Sequence, residues 1–383
     1  MKRRLISLVI LLSAISSIAC TSAIVSGKLT SNGRPLLWKN RDTDDQNNKI
    51  EKIPATRDSY EYVGLFNASD KKCQQVWMGF NEKGFAIMNT ASYNLNSDTI
   101  KEMDHEGLVM ALALRKCKTV DDFQSLLDTL ARPMRVEANF GVIDAMGNGA
   151  YFETGNFKYV KYDLKDSPTG ILTRTNYSYS GRADKGMGYI REENEKALVA
   201  RHIDKRDFTP AVFTEELSRT FYQSLLDKDF TNSGAEYLVD QDFIPRRIST
   251  ATVVIEGILN GEDSRLTTMW VGLGYSPCTE IRPVWIGDGG LPNELRGISP
   301  NGHSPLADSA QARKKQVFDV ERGNGKHYIH LSKLYNAYGT GYCQVLIPQN
   351  MATYANGYKE LEKRKAIYQN KNKNKNKSKN RLK

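Results

Sequence analysis

The residue in this sequence best suited to chemistry is Cys20, because of what stands before it. Residues 2–4 are basic and begin a short apolar segment, and the small residues Ser17 and Ala19 occupy the third and first positions before the cysteine. This pattern is typical of a secretory signal. We therefore expect residues 1–19 to be removed and the mature, exported chain, in the periplasm or outside the cell, to begin with Cys20.

A cysteine at the first position of a chain carries a nucleophile and a base in one residue. A thiol attacks as its thiolate and needs a base to supply it near neutral pH. A free α-amine titrates at about pH 7.7 to 8.0, so part of it is neutral at physiological pH and can accept the thiol proton. Such a residue predicts nucleophilic chemistry that needs no histidine.

Lipidation is the alternative fate of Cys20. In a lipoprotein the thiol carries a lipid and the amine is acylated, so neither group is left for catalysis. Lipoprotein signals usually have an aliphatic residue where this chain has Ser17. In this alternative the protein is a lipid-anchored surface protein.

The net charge of +10 is concentrated at the two ends of the chain. Without the three basic residues of 2–4 and the seven of 371–383, 44 basic residues remain against 44 acidic ones. A near-neutral body gives no reason to expect nucleic acid as a partner. The apolar run near the start is shorter than the ~20 residues of a transmembrane helix, so we expect no integral membrane span. The Lys/Asn-rich segment 370–383 cannot bury apolar area and is predicted to be disordered.

The remaining cysteines and the five histidines form no recognisable metal or cofactor motif. There is no HExxH sequence, no phosphate-binding loop and no dinucleotide fingerprint, so we expect neither a metal nor an organic cofactor. In an oxidising compartment the other four cysteines could form two disulfides by three connectivities, or remain separate buried thiols. These four are Cys73, Cys117, Cys278 and Cys343.

The hydrophobic pattern predicts strands and helices in alternating blocks, which favours an α+β fold over a βαβ repeat. No linker or repeat divides the chain, so we expect one domain over residues 20–369. The predicted elements are a hairpin about Asn32-Gly33, strands on either side of 81–84, two helices between 105 and 131, strands about 147–149, a strand in 170–180, helices in 190–226, strands within 249–258, 265–275 and 280–286, and a helix at 356–368.

Four segments in order resemble the cysteine branch of the N-terminal nucleophile (Ntn) hydrolases, which includes isopenicillin N acyltransferase-like proteins, choloylglycine hydrolases with penicillin V acylases, and related dipeptidases. The segments are CTSAIVSGKLTSNGRPLLWKNRD, GFNEKGFAIMNTASY, ANFGVIDAMGNGAYFE and LTRTNYS. The resemblance spans roughly residues 20 to 260. It implies a four-layer αββα sandwich of two antiparallel sheets.

The resemblance also implies roles for individual residues. Cys20 would be the nucleophile and its α-amine the general base, and Asp42 would orient both. Asn89 would help to form the oxyanion hole, and Asn176 would hold the amine or the substrate amide. Arg247 is similar to a cationic site residue of the choloylglycine branch.

At one position the resemblance leaves two candidate residues, and at another this chain differs from the choloylglycine branch. Ser249 is the acyltransferase-like alternative to Arg247. The choloylglycine branch has Arg where this chain has Lys39, and a lysine cannot reproduce the bidentate fork of an arginine. This difference argues against a bile-salt substrate.

The predicted hairpin conflicts with the role of Asp42. A two-residue turn at Asn32-Gly33 pairs position 20 with 45 and position 23 with 42, which places Asp42 about 10 Å along the strand from Cys20 and on the opposite face. A bulge or a longer turn is needed to bring Asp42 to the thiol. Asp44 and Asp45 are the substitutes.

Together these features predict an exported hydrolase or acyltransferase. It would act on linear, non-peptide or small-peptide amides through an acyl-thioester on Cys20. Two alternatives remain: an Ntn-type dipeptidase, and a catalytically inactive lipoprotein that binds a ligand. The expected partner is a small amide or short peptide, and the oligomeric state is open.

Overall fold

The structure, a computed structural model, describes residues 20–287, 289–323 and 327–381, without the side chains of residues 371–381. The signal predicted at 1–19 lies outside the described residues. The described strands in chain order are β1 (Thr21–Val25), β2 (Leu36–Asp42), β3 (Asn48–Ile53), β4 (Tyr62–Asn67), β5 (Met78–Asn81), β6 (Ala86–Ala91), β7 (Ala138–Ile143), β8 (Gly149–Thr154), β9 (Tyr159–Asp163), β10 (Ile171–Arg174), β11 (Tyr222–Gln223), β12 (Lys228–Asp229), β13 (Tyr237–Val239), β14 (Ser249–Glu256), β15 (Thr268–Leu273), β16 (Arg282–Val284) and β17 (Tyr328–His330).

The helices surround two large sheets. Both predicted helices between 105 and 131 are present, and the second begins with a capping box in which Thr119 and Asp122 bond each other's backbone N–H groups. The helices are α1 (Glu106–Lys116), α2 (Val120–Thr129), α3 (Tyr189–Ile203), α4 (Pro305–Val317) and α5 (Tyr342–Arg381), with a π-helix at Val212–Leu217. None of the described helices combines the length and apolar character needed to cross a bilayer.

The terminal helix is longer than the sequence predicts. It was expected at 356–368, and α5 already begins at Tyr342, with Pro348 inside it. The buried Leu346 and Tyr354 explain why the early turns belong to the folded body. The predicted disorder of 370–383 stays a prediction, because the side chains of 371–383 lie outside the described part of the chain.

Both sheets are antiparallel throughout. Sheet 1 has six strands in the order β10-β1-β2-β14-β15-β16, and sheet 2 has seven in the order β3-β4-β5-β6-β7-β8-β9. Within sheet 1 the strand β1 is an interior strand, so its main-chain groups bond neighbours on both sides. The strand that follows Cys20 is therefore held rigidly.

Three buried apolar clusters lie between neighbouring layers of helices and sheets, and the fold therefore has four layers. Between the sheets, Ile24, Leu37 and Val253 of sheet 1 belong to one cluster with Val63 and Met88 of sheet 2. A second cluster joins the outer face of sheet 2 to α1 and α2. A third joins the outer face of sheet 1 to α3, the π-helix and α5. The predicted α+β, four-layer αββα sandwich of two antiparallel sheets is confirmed.

The first hairpin has a different register from the predicted one. Thr21 lies opposite Asn40 and Val25 opposite Leu36, and residues 26–35 form the connection. The Asn-Gly turn is present but sits inside this larger loop, where Asn32 Nδ2 donates to Glu256 Oε1 at 2.5 Å and Gly33 has φ +79°. The two-residue hairpin was therefore wrong, because a tertiary hydrogen bond and a 3₁₀ turn at Gly27–Leu29 lengthen the loop. The longer loop shifts β2 so that Asp42 lies beside Cys20.

Candidate active site

Cys20 lies immediately before β1 and is only 3 % exposed. Its Sγ is 3.8 Å from the backbone oxygen of Asp42. It lines a cavity of about 470 Å³ that also receives Lys39 and Arg41 from β2 and Asn89 from β6. Both sheets therefore contribute polar side chains to the space in front of the thiol.

The carboxylate of Asp42 is fully buried and held on three sides. Its Oδ2 accepts from Arg246 Nη2 at 2.8 Å and Nε at 3.1 Å. Its Oδ1 accepts from Ser249 Oγ at 2.6 Å and from Asn40 Nδ2 at 3.2 Å. These bonds keep a negative charge fixed close to Cys20.

Two substitutes considered for Asp42 lie in less suitable positions. Asp44 is exposed. Asp45 is partly buried and accepts from Ser69 Oγ at 2.5 Å. Because of the longer first loop, Asp42 itself lines the cavity, and neither Asp44 nor Asp45 does.

The cation beside Asp42 is Arg246, one residue before the predicted Arg247. The Arg247 side chain is exposed, and its backbone N–H donates to Asp240 Oδ2 at 3.1 Å. The sequence alone could not distinguish the neighbours, because both lie in the loop before β14, where no periodicity fixes which side chain turns inward. In the structure the arginine that pairs with Asp42 is therefore Arg246 and not the predicted Arg247.

Asn89 is held in one orientation by Lys39. The ammonium Nζ donates to Asn89 Oδ1 at 2.9 Å and to the Trp77 backbone oxygen at 3.0 Å. A protonated lysine only donates, so the amide oxygen of Asn89 must face it and the Nδ2 group remains available as a donor. Burial lowers the pKa of Lys39 from 10.5 to about 8. The sequence suggested Lys39 only as a departure from a family pattern, although a lysine within a buried strand was itself a signal.

Asn176 is connected to Cys20 through Arg191. Its Nδ2 donates to the Ala91 oxygen at 2.8 Å, and its Oδ1 accepts from Arg191 Nη2 at 2.8 Å. Arg191 in turn donates through Nη1 to the backbone oxygen of Cys20 at 2.7 Å and to Thr21 Oγ1 at 2.9 Å. Sequence reasoning missed Arg191, because its place depends on how α3 packs on sheet 1.

The cavity also contains a carboxyl group whose ionisation is disfavoured. Glu106, at the start of α1, accepts from the Glu137 N–H at 2.8 Å. Burial raises its pKa from 4.5 to about 7. Among the described residues, no group of three or more His, Cys, Asp or Glu side chains is arranged to hold a metal ion.

Glu106 gives a pH-dependent stability. The folded protein retains this proton up to about pH 7, whereas the unfolded chain loses it near pH 4.5. Stability should therefore fall as pH rises through that window, and Glu106→Gln should be more stable than the parent by up to about 3 kcal/mol above pH 7, with no gain below pH 4.5. Urea unfolding between pH 4 and 8 measures this difference. Glu102→Gln, at an exposed position, is the matched control, and a Glu106→Gln difference that does not vary with pH would contradict the assignment.

One protein-family model matches this chain. The family of acyl-coenzyme A:6-aminopenicillanic acid acyl-transferase matches residues 29–229. No curated protein sequence matches the chain.

Three solved structures are similar at low identity. A variant of conjugated bile acid hydrolase from Clostridium perfringens is 12 % identical with a TM-score of 0.41, over 71 % of this chain and 94 % of that one. An N-acylethanolamine-hydrolyzing acid amidase ortholog from Caenorhabditis elegans is 14 % identical with a TM-score of 0.41, over 62 % and 92 %. Penicillin V acylase from Agrobacterium tumefaciens is 12 % identical with a TM-score of 0.36, over 70 % and 86 %. The family match covers more than half of the sequence and includes Lys39, Asp42, Asn89 and Asn176, and on that match the chain belongs to the acyl-coenzyme A:6-aminopenicillanic acid acyl-transferase family.

Proposed function

We propose that this protein is an exported enzyme that cleaves linear amides through an acyl-thioester on Cys20. The observation that supports this most is the position of Cys20, which immediately precedes an interior strand and lines a cavity that also contains Asn89. The family is one of acyl transfer, which agrees with such chemistry. Water would complete hydrolysis, and a second amine would complete acyl transfer.

The proposed reaction begins with the α-amine of the mature Cys20. The amine takes the thiol proton, and the thiolate attacks the amide carbonyl. Asn89 Nδ2, fixed by Lys39, donates to the oxyanion that develops, a contribution typically of about 3 kcal/mol. The protonated amine then gives its proton to the leaving amine, and the thioester remains on sulfur.

Two further residues support the proposed nucleophile without supplying the reacting atoms. The carboxylate of Asp42, held by Arg246, favours the protonated state of the α-amine that forms during attack. Asn176 holds Arg191, which binds the carbonyl group of Cys20 and fixes the first residue against the strand. Both are positioning roles.

The burial of Cys20 favours catalysis over lipidation. A diacylglycerol group on sulfur would have to be accommodated where the residue is only 3 % exposed and Sγ lies against the Asp42 backbone. Long acyl chains need a membrane around them to be stable. A lipidated Cys20 would therefore have to leave the sandwich.

A substrate panel tests the proposed function. Purified protein that begins with Cys20 is assayed with N-acyl amino acids, penicillin V and dipeptides, and the released amine is measured. We expect cleavage of N-acyl amides, and none by a version that retains Ala19, because its residue 20 has no α-amine. Cleavage of dipeptides alone would favour the dipeptidase alternative, and equal activity of the Ala19 version would contradict the proposal.

The pKa of Lys39 predicts a narrow pH optimum. Activity should rise as the α-amine loses its proton near pH 8, and should fall above about pH 8 as Lys39 loses the proton that fixes Asn89. Lys39→Arg keeps its charge, so its alkaline limb should move to higher pH. The buried Lys49, which donates to the Asp70 oxygen at 2.9 Å and does not line the cavity, supplies the control Lys49→Arg. An unchanged alkaline limb in Lys39→Arg would contradict this role.

A further inference from the structure

The cavity in front of Cys20 has more positive charge than the proposed reaction needs. Four cationic side chains lie close to Cys20, namely Lys39, Arg41, Arg191 and Arg246. Arg246 pairs with Asp42, and Arg191 binds the Cys20 carbonyl. Lys39 is engaged with Asn89. Arg41 has no role in the proposed reaction.

Arg41 is buried without a carboxylate partner. It is 3 % exposed, and its two terminal nitrogens donate to neutral oxygens, Nη1 to Asn48 Oδ1 and Nη2 to Asn67 Oδ1 at 2.7 Å. Within the described part of the chain, neither Arg41 nor Lys39 forms an ion pair. Burying an unpaired charge is costly, so such groups are retained mainly where a ligand or a reaction uses them.

Three other buried arginines pair with a carboxylate, whereas Arg191 bonds only neutral oxygens, among them that of the Cys20 carbonyl, and does not line the cavity. Arg34 pairs with Glu262, Arg174 with Glu153 and Arg219 with Glu215. Arg41 differs in that it lines the cavity and its guanidinium is held by two amides that leave its full charge in place. Two of its five N–H groups are used in this way, so donors remain for a planar anion.

The acids in the same cavity do not neutralise Arg41. Glu106 and Glu137 accept backbone N–H groups, and Asp104 is not in ion-pair contact with either cation. Asp45, whose charge favours the protonated form of Arg41, bonds Ser69 instead. The end of the cavity beside Cys20 is therefore cationic.

The aromatic ring beside Arg41 carries an unsatisfied donor. Arg41 Cζ lies 5.0 Å from the centre of the Trp77 ring. The indole N–H of Trp77 is buried and has no hydrogen-bond partner among the described residues. Trp77 lines the same cavity, and buried donors of this kind are rare in native structures.

Resting on the proposed amide cleavage at Cys20, we propose that the substrate carries a carboxylate and that Arg41 binds it, with Lys39 adding to the positive potential. Arg41 is thus a specificity-determining residue. The carboxylate belongs either to the acyl part or to the leaving amine of the substrate. The two sources make the same contact with Arg41, and the experiment separates them.

Two pairs of amides test this inference. N-phenylacetylglycine is compared with N-phenylacetylglycinamide, and glutaryl anilide with the analogue in which a carboxamide replaces its free carboxylate. We expect kcat/KM to favour the carboxylate by roughly 30-fold in one pair, the size of a charge-assisted contact in a buried site. Arg41→Met should reduce that ratio at least about tenfold. Arg41→Lys, which keeps the charge, should retain more of the ratio, and Lys49→Met is the control for losing a buried cation elsewhere.

The outcomes separate this inference from the proposed function. Ratios near one in both pairs, or a ratio unchanged by Arg41→Met, would overturn the role of Arg41 even if all four amides are cleaved. If no amide is cleaved, the proposed function fails, and calorimetric binding of the same compounds to Cys20→Ala decides the inference. Tighter binding of one carboxylate than of its carboxamide would support it, and equal binding would overturn it. If Arg41→Met does not fold, the test compares the carboxylate-to-carboxamide ratio of kcat/KM in Arg41→Lys with that of the parent.

Discussion

Cys20→Ala is expected to lower kcat/KM for amide cleavage by about 10⁴-fold or more, because in the proposed mechanism the change removes the sulfur that holds the acyl group. The variant keeps an α-amine at its first residue, so the loss isolates sulfur. Little change in stability is expected, since alanine fits where a buried cysteine stands. Amine release and thermal unfolding measure the two quantities on the same preparation.

Cys20→Ser and Cys73→Ala complete this test. Serine keeps a nucleophile of higher pKa, so a small residual activity is expected. Cys73 is half-buried, and its thiol lies 3.8 Å from the Asp70 backbone oxygen, away from the cavity. Its alanine variant should therefore behave like the parent. Activity that survives in Cys20→Ala but is lost in Cys73→Ala would mean that the nucleophile had been misassigned.

The buried ion pair behind the thiol is expected to produce the second large effect. Arg246→Met leaves the Asp42 carboxylate buried without its cation, and breaking such a pair typically costs about 3 kcal/mol or more. The neighbouring Arg247→Met is a matched control, because that side chain is exposed, and it should change stability by less than about 0.5 kcal/mol. Urea unfolding at pH 7 compares the two variants.

The double variant shows whether an uncompensated charge causes the loss. Asp42→Asn removes the charge that Arg246→Met leaves behind, so combining them should recover much of the lost stability. Amide cleavage should stay low in the double variant, because the field that favours the protonated α-amine is gone. Equal stability of Arg246→Met and Arg247→Met would contradict the proposal that Arg246 is the cation of the site.

Local signals in the sequence were sufficient for much of the fold. The turn at Asn81–Gly84, the capping residue Thr119 and the Gly-Asn-Gly turn before β8 each act within a few residues, and each element appears where it was expected. The sequence-based prediction was wrong where tertiary contacts determine the local structure. Asn-Gly predicted a tight hairpin, but the bond from Asn32 to Glu256, far along the chain, sets the length of that loop.

The sequence predicted which types of residue form the candidate site better than it predicted the contacts between them. Cys20 and Asn89 line one cavity, and Asp42 reaches it through the longer loop. Arg246, Lys39 and Arg191 could not be assigned, because their contacts depend on the packing of a loop, a second sheet and a helix. Arg41 gave no signal beyond its place in a strand, since only the structure shows that its partners are neutral.

The acyl-thioester itself is the most direct test. Mature protein is mixed with an N-acyl amide, quenched in acid within a turnover, and analysed by intact-mass and fragment spectrometry. The account predicts a chain that begins with Cys20, with a free α-amine and one added acyl mass on the Cys20 sulfur. An acyl group on Cys73, Cys117, Cys278 or Cys343, or a chain that starts elsewhere or is blocked at Cys20, would contradict it.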